Sequence, residues 1–281
     1  MPNLLDFKYI FVAFSGGKDS VASYIKCRDI FGNITLVFTD TGDEMDETYE
    51  YLEYFHNEIH PVKRIAQRHN VEKSKGNRNL ELVDLEWGEQ TKFLTIFDEL
   101  NYRYLLDIER PFWPQLGIRY CTKTLKILPF FKYIRKTIPK AERSKVLVVK
   151  GLRREESNKR KDIPEFDTQF QARDWFYVWH PVYDLTTEEV FDLHTKNNIK
   201  INPVYNIRSR SNCVGCPFSS NKEVFDTYKI RQESLDKYIK IEKRSGFSWK
   251  NGTFLADVVA GKDGVDYNIN DEGCVSGFCD I

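Results

Sequence analysis

The segment FSGGKDS, Phe14 to Ser20, gathers groups suited to holding an anion. Two successive glycines, Gly16 and Gly17, let the main chain adopt conformations closed to other residues and approach a ligand closely. A helix beginning at Lys18 would direct its first free N–H groups into that space, and its dipole would favour negative charge there. Ser15 and Ser20 add hydroxyls, and Lys18 adds a mobile ammonium. Together these groups suit a diphosphate or a triphosphate. The spacing is not that of the G-x-x-x-x-G-K-[ST] loop. A lysine is useful where pyrophosphate must leave, because it stabilises the charge that develops on the leaving group. Mg²⁺ is expected with a triphosphate, and Asp19, Asp40, Asp43 and Glu47 are the carboxylates near enough in sequence to meet it. Glu47 reads equally well as a helix-surface residue.

Six cysteines, at 27, 121, 213, 216, 274 and 279, are too sparse for a disulfide scaffold in a chain of 281 residues. Cys27 lies in a helical stretch and reads as an inert thiol. Cys213 and Cys216 form C-x-x-C, a spacing that lets both sulfurs face one ion, and Cys274 and Cys279 form a second close pair. A structural zinc on the two pairs and a set of reduced thiols are both compatible with the spacing. His56, His60, His69, His180 and His194 stand away from the cysteines and read as structural or surface residues.

The elements that must position these groups alternate between strand and helix. Tyr9 to Ser15 and Ile34 to Asp40 are short apolar, β-branched runs, and each ends at turn residues. Lys18 to Arg28 and the acidic stretch Asp43 to His60 read as the helices that follow them. Pro61 to Ala66 reads as an edge-like strand, and Lys145 to Arg153 as a further strand ending at a glycine. This alternation predicts an α/β fold: a parallel twisted sheet with helices on both faces. Residues 88–137 read as mainly helical. Leu185 to Asn198 is a helix with Thr186 or Thr187 as N-cap and Glu189 near its first turn. After about Pro203 the composition shifts to Ser, Asn and Cys. That shift suggests an α/β domain over 1–205 and a small cysteine-containing region over 206–281.

Lys and Arg total 42 and Asp and Glu total 42, so the chain has no net charge to draw it generally to nucleic acid. The charge is nonetheless uneven. Asp40 to His60 carries eight acidic residues and no Lys or Arg, whereas Arg119 to Arg173 carries sixteen basic residues against six acidic ones. Tyr120, Phe130, Phe131 and Tyr133 interleave with that basic stretch, which fits a phosphate backbone. No apolar run is long enough to span a membrane, and the opening residues lack the layout of a signal peptide, so a cytoplasmic location is expected.

SGGKDS resembles the signature of the PP-loop, or N-type, ATP pyrophosphatases of the adenine-nucleotide α-hydrolase-like superfamily. FTDTGDEMDETYEYL, Phe38 to Leu52, is similar to the D-T-G-x-x-x-x-E-T-Y pattern of its PAPS reductase branch. That branch includes phosphoadenylyl-sulfate reductases, the small subunit of ATP sulfurylase and DndC-type proteins. Three later segments agree in order: RYCTKTLKILP (Arg119 to Pro129), GLRREESNKR (Gly151 to Arg160) and NPVYN…NCVGCP (Asn202 to Pro217). The resemblance implies that Ser15, Gly16, Gly17, Lys18, Asp19 and Ser20 hold the phosphates of an adenine nucleotide. It implies Asp40 and Thr41 near the ribose or base, and Gly151 and Arg153 closing the site. Arg153 and Arg160 would then face phosphate or an anionic substrate, with Lys123 and Lys126 as further candidates and Lys18, Asp19 and Arg153 as the catalytic set. Iron–sulfur members of the branch imply a [4Fe–4S] cluster on Cys121, Cys213, Cys216 and a tail cysteine; zinc and free thiols remain the alternatives.

The Lys18-bearing loop favours ATP over a preformed sulfonucleotide, and the tail GCVSGFCDI does not match the Glu-Cys-Gly-Leu-His type end of the reductases. Three functions therefore compete. The first is cleavage of ATP to AMP and pyrophosphate, activating a substrate for attack by sulfur or another nucleophile, with a sulfur donor or a nucleic acid acceptor as partner. The second is thiol-dependent reduction of PAPS or APS with a thioredoxin-type partner. The third is a catalytically silent nucleotide- or nucleic-acid-binding module.

Overall fold

The computed structural model describes residues 2–69, 80–88, 113–114, 119, 121–171, 173–250 and 252–262. The strands are β1 (Tyr9–Ala13), β2 (Ile34–Asp40), β3 (Val62–His69), β4 (Leu80–Leu85), β5 (Val146–Val149), β6 (Phe166–Gln171) and β7 (Asp174–Trp179). They form one seven-stranded sheet in the order β4-β3-β2-β1-β5-β7-β6. Strands β3, β2, β1, β5 and β7 run parallel, while β4 and β6 pair antiparallel at the two edges. The parallel sheet expected from the sequence is present in these five strands, with one antiparallel strand added at each edge. One expectation is corrected: the strand expected at the edge is interior, because Leu80–Leu85 covers its open side.

The strand residues alternate between two cores, as the two-residue period of a pleated strand requires. Ile10, Val12, Leu36, Phe38, Leu147 and Val149 join α1 (Lys18–Arg28) and α2 (Asp46–Glu58) on one face. Phe11, Ala13, Val37, Val146 and Val148 meet α3 (Leu128–Thr137) on the other. Cys27 is wholly buried in the first core, and burial pushes its thiol well up. The acidic helix opens at Asp46 rather than Asp43, because Asp43 and Glu44 turn inward. Of the stretch 88–137, Thr122–Ile127 is a π-helical turn leading into α3, and most of the remainder lies outside the described residues.

Helix α4 (Thr187–Lys196) begins with a reciprocal cap. The Glu189 N–H donates to Thr186 Oγ1 (3.2 Å), and the Thr186 N–H donates to Glu189 Oε2 (2.7 Å). It packs on α1 through Val190 and Ala22. Three helices absent from the sequence reading follow: α5 (Asn221–Ile230), α6 (Gln232–Ser245) and α7 (Leu255–Val259). Val224, Leu235, Tyr238, Ile241 and Leu255 bury their apolar faces together with Met45 and Val204. Glu242 is buried among them, accepting from the N–H groups of Trp249 (2.7 Å), Leu255 (2.8 Å) and Ala256 (3.1 Å), so it caps the start of α7.

Candidate functional site

The loop Ser15–Ser20 leaves the C-terminal end of β1, the central strand, where open α/β sheets collect their ligands. Gly16 has φ +73°, and an added Cβ would lie 2.9 Å from Leu52 Cδ2, so glycine is required there by both backbone and space. The loop is largely buried, and three of its N–H groups already have acceptors within the fold. Ser15 N–H donates to Ser20 Oγ (3.2 Å), Gly17 N–H to Ser15 Oγ (3.1 Å) and Lys18 N–H to the Tyr205 hydroxyl (2.8 Å). A buried amide must find an acceptor, and the loop's own serines and one tyrosine supply it. An anion would have to displace these hydroxyls. Above the loop, Asn202 Nδ2 donates to the Gly16 carbonyl (3.1 Å), and the His194 ring meets the Lys18 carbonyl (2.9 Å).

Asp19 sits between two cations. Lys18 Nζ is 3.1 Å from Oδ2, and Arg153 Nε donates to Oδ1 (2.5 Å). Gly151 presses against the same turn; a Cβ there would stand 2.6 Å from the Asp19 carbonyl carbon. Arg153 also donates to Glu155 Oε2 (2.5 Å), the Leu185 carbonyl (3.1 Å) and Thr187 Oγ1 (3.1 Å), and it is 2% exposed. Arg160, equally buried, donates to Glu156. Arg153 is thus tied to carboxylates and fixes Asp19, whereas Arg160 bonds Glu156 through Nη1 while its buried Nε and Nη2 make no hydrogen bond among the described residues.

Asp40 is likewise held by its neighbours. Its Oδ1 accepts from Gly42 N–H (2.7 Å) and Tyr49 OH (2.8 Å), and its Oδ2 accepts from Arg64 Nε (2.9 Å) and Nη2 (2.8 Å). Four donors leave little for a ribose. Thr41 turns the other way: its hydroxyl donates to Glu44 Oε1 (3.1 Å) and lies 3.5 Å from Cys213 Sγ. Glu44 Oε1 also lies 3.4 Å from Lys126 Nζ. Burial pulls the Lys126 ammonium down, but the Glu44 carboxylate, joined by Cys213, Cys216 and Cys121 once they are thiolates, holds it well up. Burial raises all three thiols, Cys216 to about 11 and Cys213 higher still, so they stand protonated at neutral pH.

Asp43 is pushed up to about 6 by burial, against the pull of Lys237, which bonds its Oδ1 at 2.6 Å. Glu47 pairs with Arg231. Among the described residues no group of three or more His, Cys, Asp or Glu is arranged to hold a metal ion. Cys274 and Cys279 lie outside the described residues.

Lys18 opens onto a cavity of about 410 Å³ lined by Arg153, Glu156, Thr187, Phe191, Tyr205 and the run Arg208–Arg210. Of the residues named from the sequence, Lys18 and Arg153 line it; Asp40, Thr41 and Lys126 belong to the neighbouring networks, and Lys123 is exposed. Tyr205, Phe191 and Arg210 went unnoticed. The cue was the basic pair Arg208 and Arg210 placed directly before C-x-x-C.

The sheet order and the glycine loop at the end of its middle strand define an α/β protein with a cavity beyond that loop. The chain belongs to the phosphoadenosine phosphosulfate reductase domain family, whose model matches residues 9–222. It is 29% identical over 250 residues to an uncharacterised 37.8 kDa protein of Escherichia phage 186, covering 83% of this chain and 74% of that one. It is 23% identical over 236 residues to an uncharacterised protein of Methanocaldococcus jannaschii, covering 84% of this chain and 48% of that one. Two solved structures align with it at 12% identity. One is the phosphoadenylyl-sulfate reductase of Candida auris in a phosphate complex (TM-score 0.43; 73% of this chain, 80% of that one). The other is the FMN adenylyltransferase of Candida glabrata with FAD and inorganic pyrophosphate (TM-score 0.38; 70% and 50%). Among the described residues no helix is long and apolar enough to cross a membrane.

Proposed function

We propose that this chain binds ATP at the Ser15–Ser20 loop and cleaves it to AMP and pyrophosphate, activating a substrate for attack by sulfur or another nucleophile. The carrying observation is Lys18: it begins α1 at the end of the central strand, and it lines the cavity. In this reading a substrate oxyanion attacks the α-phosphorus, the bond to the bridging oxygen breaks and pyrophosphate leaves, its charge neutralised by Lys18; a sulfur or other nucleophile then attacks the adenylated substrate and displaces AMP. Asp19, held by Arg153, fixes the Lys18 ammonium in place. No step is assigned to a protein-bound metal. Incubation with α-labelled ATP and candidate acceptors, sulfate and tRNA among them, tests the reading. AMP and pyrophosphate should accumulate with the wild type and not with Lys18→Ala; no release above background with any acceptor overturns it.

A second reading, thiol-dependent reduction of a sulfonucleotide, is favoured by the convergence of Cys121, Cys213 and Cys216 around Lys126. Sulfite release from PAPS or APS in the presence of a thioredoxin-type reductant, abolished in Cys213→Ser, would establish it in place of the first.

A further inference from the structure

Three arginines line the cavity that Lys18 enters, and their surroundings separate them. Arg153 spends four of its five N–H donors on Asp19, Glu155, Leu185 and Thr187. Arg208 is 3% exposed. Its guanidinium donates to Thr227 Oγ1 (2.7 Å), Asn212 Oδ1 (2.9 Å) and the carbonyls of Cys213 (2.9 Å) and Val214 (2.5 Å). It braces the cysteine turn with four of its five donors. Arg210 is half-buried on the cavity wall and makes no hydrogen bond or ion pair with any described residue. The one carboxylate on that wall, Glu156, already accepts from the Arg153 N–H (3.0 Å) and from Arg160. A guanidinium without a carboxylate partner, sharing a cavity with an ammonium, is a receptor for a tetrahedral oxyanion, because its planar fork offers two parallel donors. Phe191 and Tyr205, edge to face at 5.8 Å, give the same cavity an aromatic wall.

We infer that Arg210 binds the diphosphate end of the nucleotide, the role that the sequence motif assigned to Arg153 and Arg160. The inference rests on the nucleotide reading above. It makes Arg210 a binding residue for the leaving group, whereas Arg153 and Arg208 only position other groups.

Calorimetric titration with ATP, pyrophosphate, sulfate and adenosine tests it on the full chain. Arg210→Gln should weaken ATP and pyrophosphate about tenfold or more, the worth of a charged hydrogen bond. It should leave adenosine binding and the unfolding temperature unchanged, and Arg210→Lys should recover part of the loss. Sulfate should compete with ATP less well than pyrophosphate does. Arg208→Gln should instead lower the unfolding temperature. Unchanged ATP affinity in Arg210→Gln, an equal loss of adenosine binding, or sulfate competing as well as pyrophosphate would each overturn the assignment. The two failures are distinguishable. If the wild type binds ATP and Lys18→Ala does not, while Arg210→Gln binds normally, only Arg210 is wrong. If the wild type binds neither ATP nor PAPS, the nucleotide reading falls and takes this inference with it.

Discussion

Strands β1 and β2 lie side by side, run in the same direction and end in polar segments, yet the two ends do opposite work. Beyond β1, a glycine at φ +73° turns the chain so that Lys18 reaches a cavity. Beyond β2, Asp40 is enclosed by Arg64, Tyr49 and the Gly42 amide. Both ends carry residues that a ligand might want. Residue type locates the functional end of the sheet, but remaining hydrogen-bonding capacity decides which side chain can meet a ligand. The same distinction separates Arg210 from Arg153.

The largest expected effect is at β2. Asp40→Ala leaves Arg64, 4% exposed, without its carboxylate. Breaking a buried pair in this way costs about 3–5 kcal/mol. Denaturant unfolding should show that loss. A stably folded Asp40→Ala protein that no longer bound ATP would make Asp40 a ligand and dissolve the contrast. Lys18→Ala should behave in the opposite way. AMP release should fall about 10²–10³-fold, the effect of removing one transition-state donor. Stability should fall less than in Asp40→Ala, because Arg153 still neutralises Asp19 once Lys18 is gone. Unfolding on Lys18→Ala would place it with the scaffold.

The sequence was informative where local rules act. The strand after which the loop falls, the glycine turn, the Thr186–Glu189 cap and the alternating α/β architecture all follow from short-range patterns. The edges of the sheet did not. Strand β6, FDTQFQ, is half polar, and β7, DWFYVW, is too aromatic to show a clean alternation, so neither signals its antiparallel pairing. Site residues divided along the same line. Gly16, Lys18 and Asp19 are set by the loop itself. The engagement of Arg153 depends on Thr187, 34 positions away in the chain, and on Asp19, 134 positions away. No local pattern reveals that Arg153 in GLRREE is already neutralised, or that Arg210 in RSR is not.

Lys150, at the end of β5, extends the contrast to a third strand. It is fully buried, and burial lowers its ammonium to about 7, with Asp167 pulling the other way. Its Nζ donates to Gln169 Oε1 (2.8 Å). Between pH 7 and the ordinary lysine value of 10.5, the unfolded chain holds a proton that the folded chain has released. Stability from this group therefore rises with pH through that window and levels off above it. Neighbouring His180, lowered to about 4 by burial, titrates below the window and does not contribute. The wild type minus Lys150→Met difference should rise across the window. At pH 7 the variant should be roughly 1–3 kcal/mol more stable. A flat difference would mean that Lys150 stays charged in the fold.

The smallest effect, and the finest test of the loop, is Tyr205→Phe. The Tyr205 hydroxyl accepts the Lys18 N–H, while its ring lies 5.4 Å from Lys18 Nζ. Removing the oxygen keeps the ring and the ammonium contact but leaves the first amide of α1 without this acceptor. A neutral hydrogen bond has a net worth of about 0.5–1.5 kcal/mol. The empty protein should lose about that much stability, and a phosphate that takes over the amide should recover it. ATP should therefore bind about two- to tenfold more tightly to the variant, with adenosine unchanged. Weaker ATP binding would instead mean that the hydroxyl donates to the ligand, so that side chains rather than main-chain amides form the receptor beyond β1. The two outcomes have opposite signs, so one titration separates a hydroxyl that holds the amide's place from one that serves the ligand.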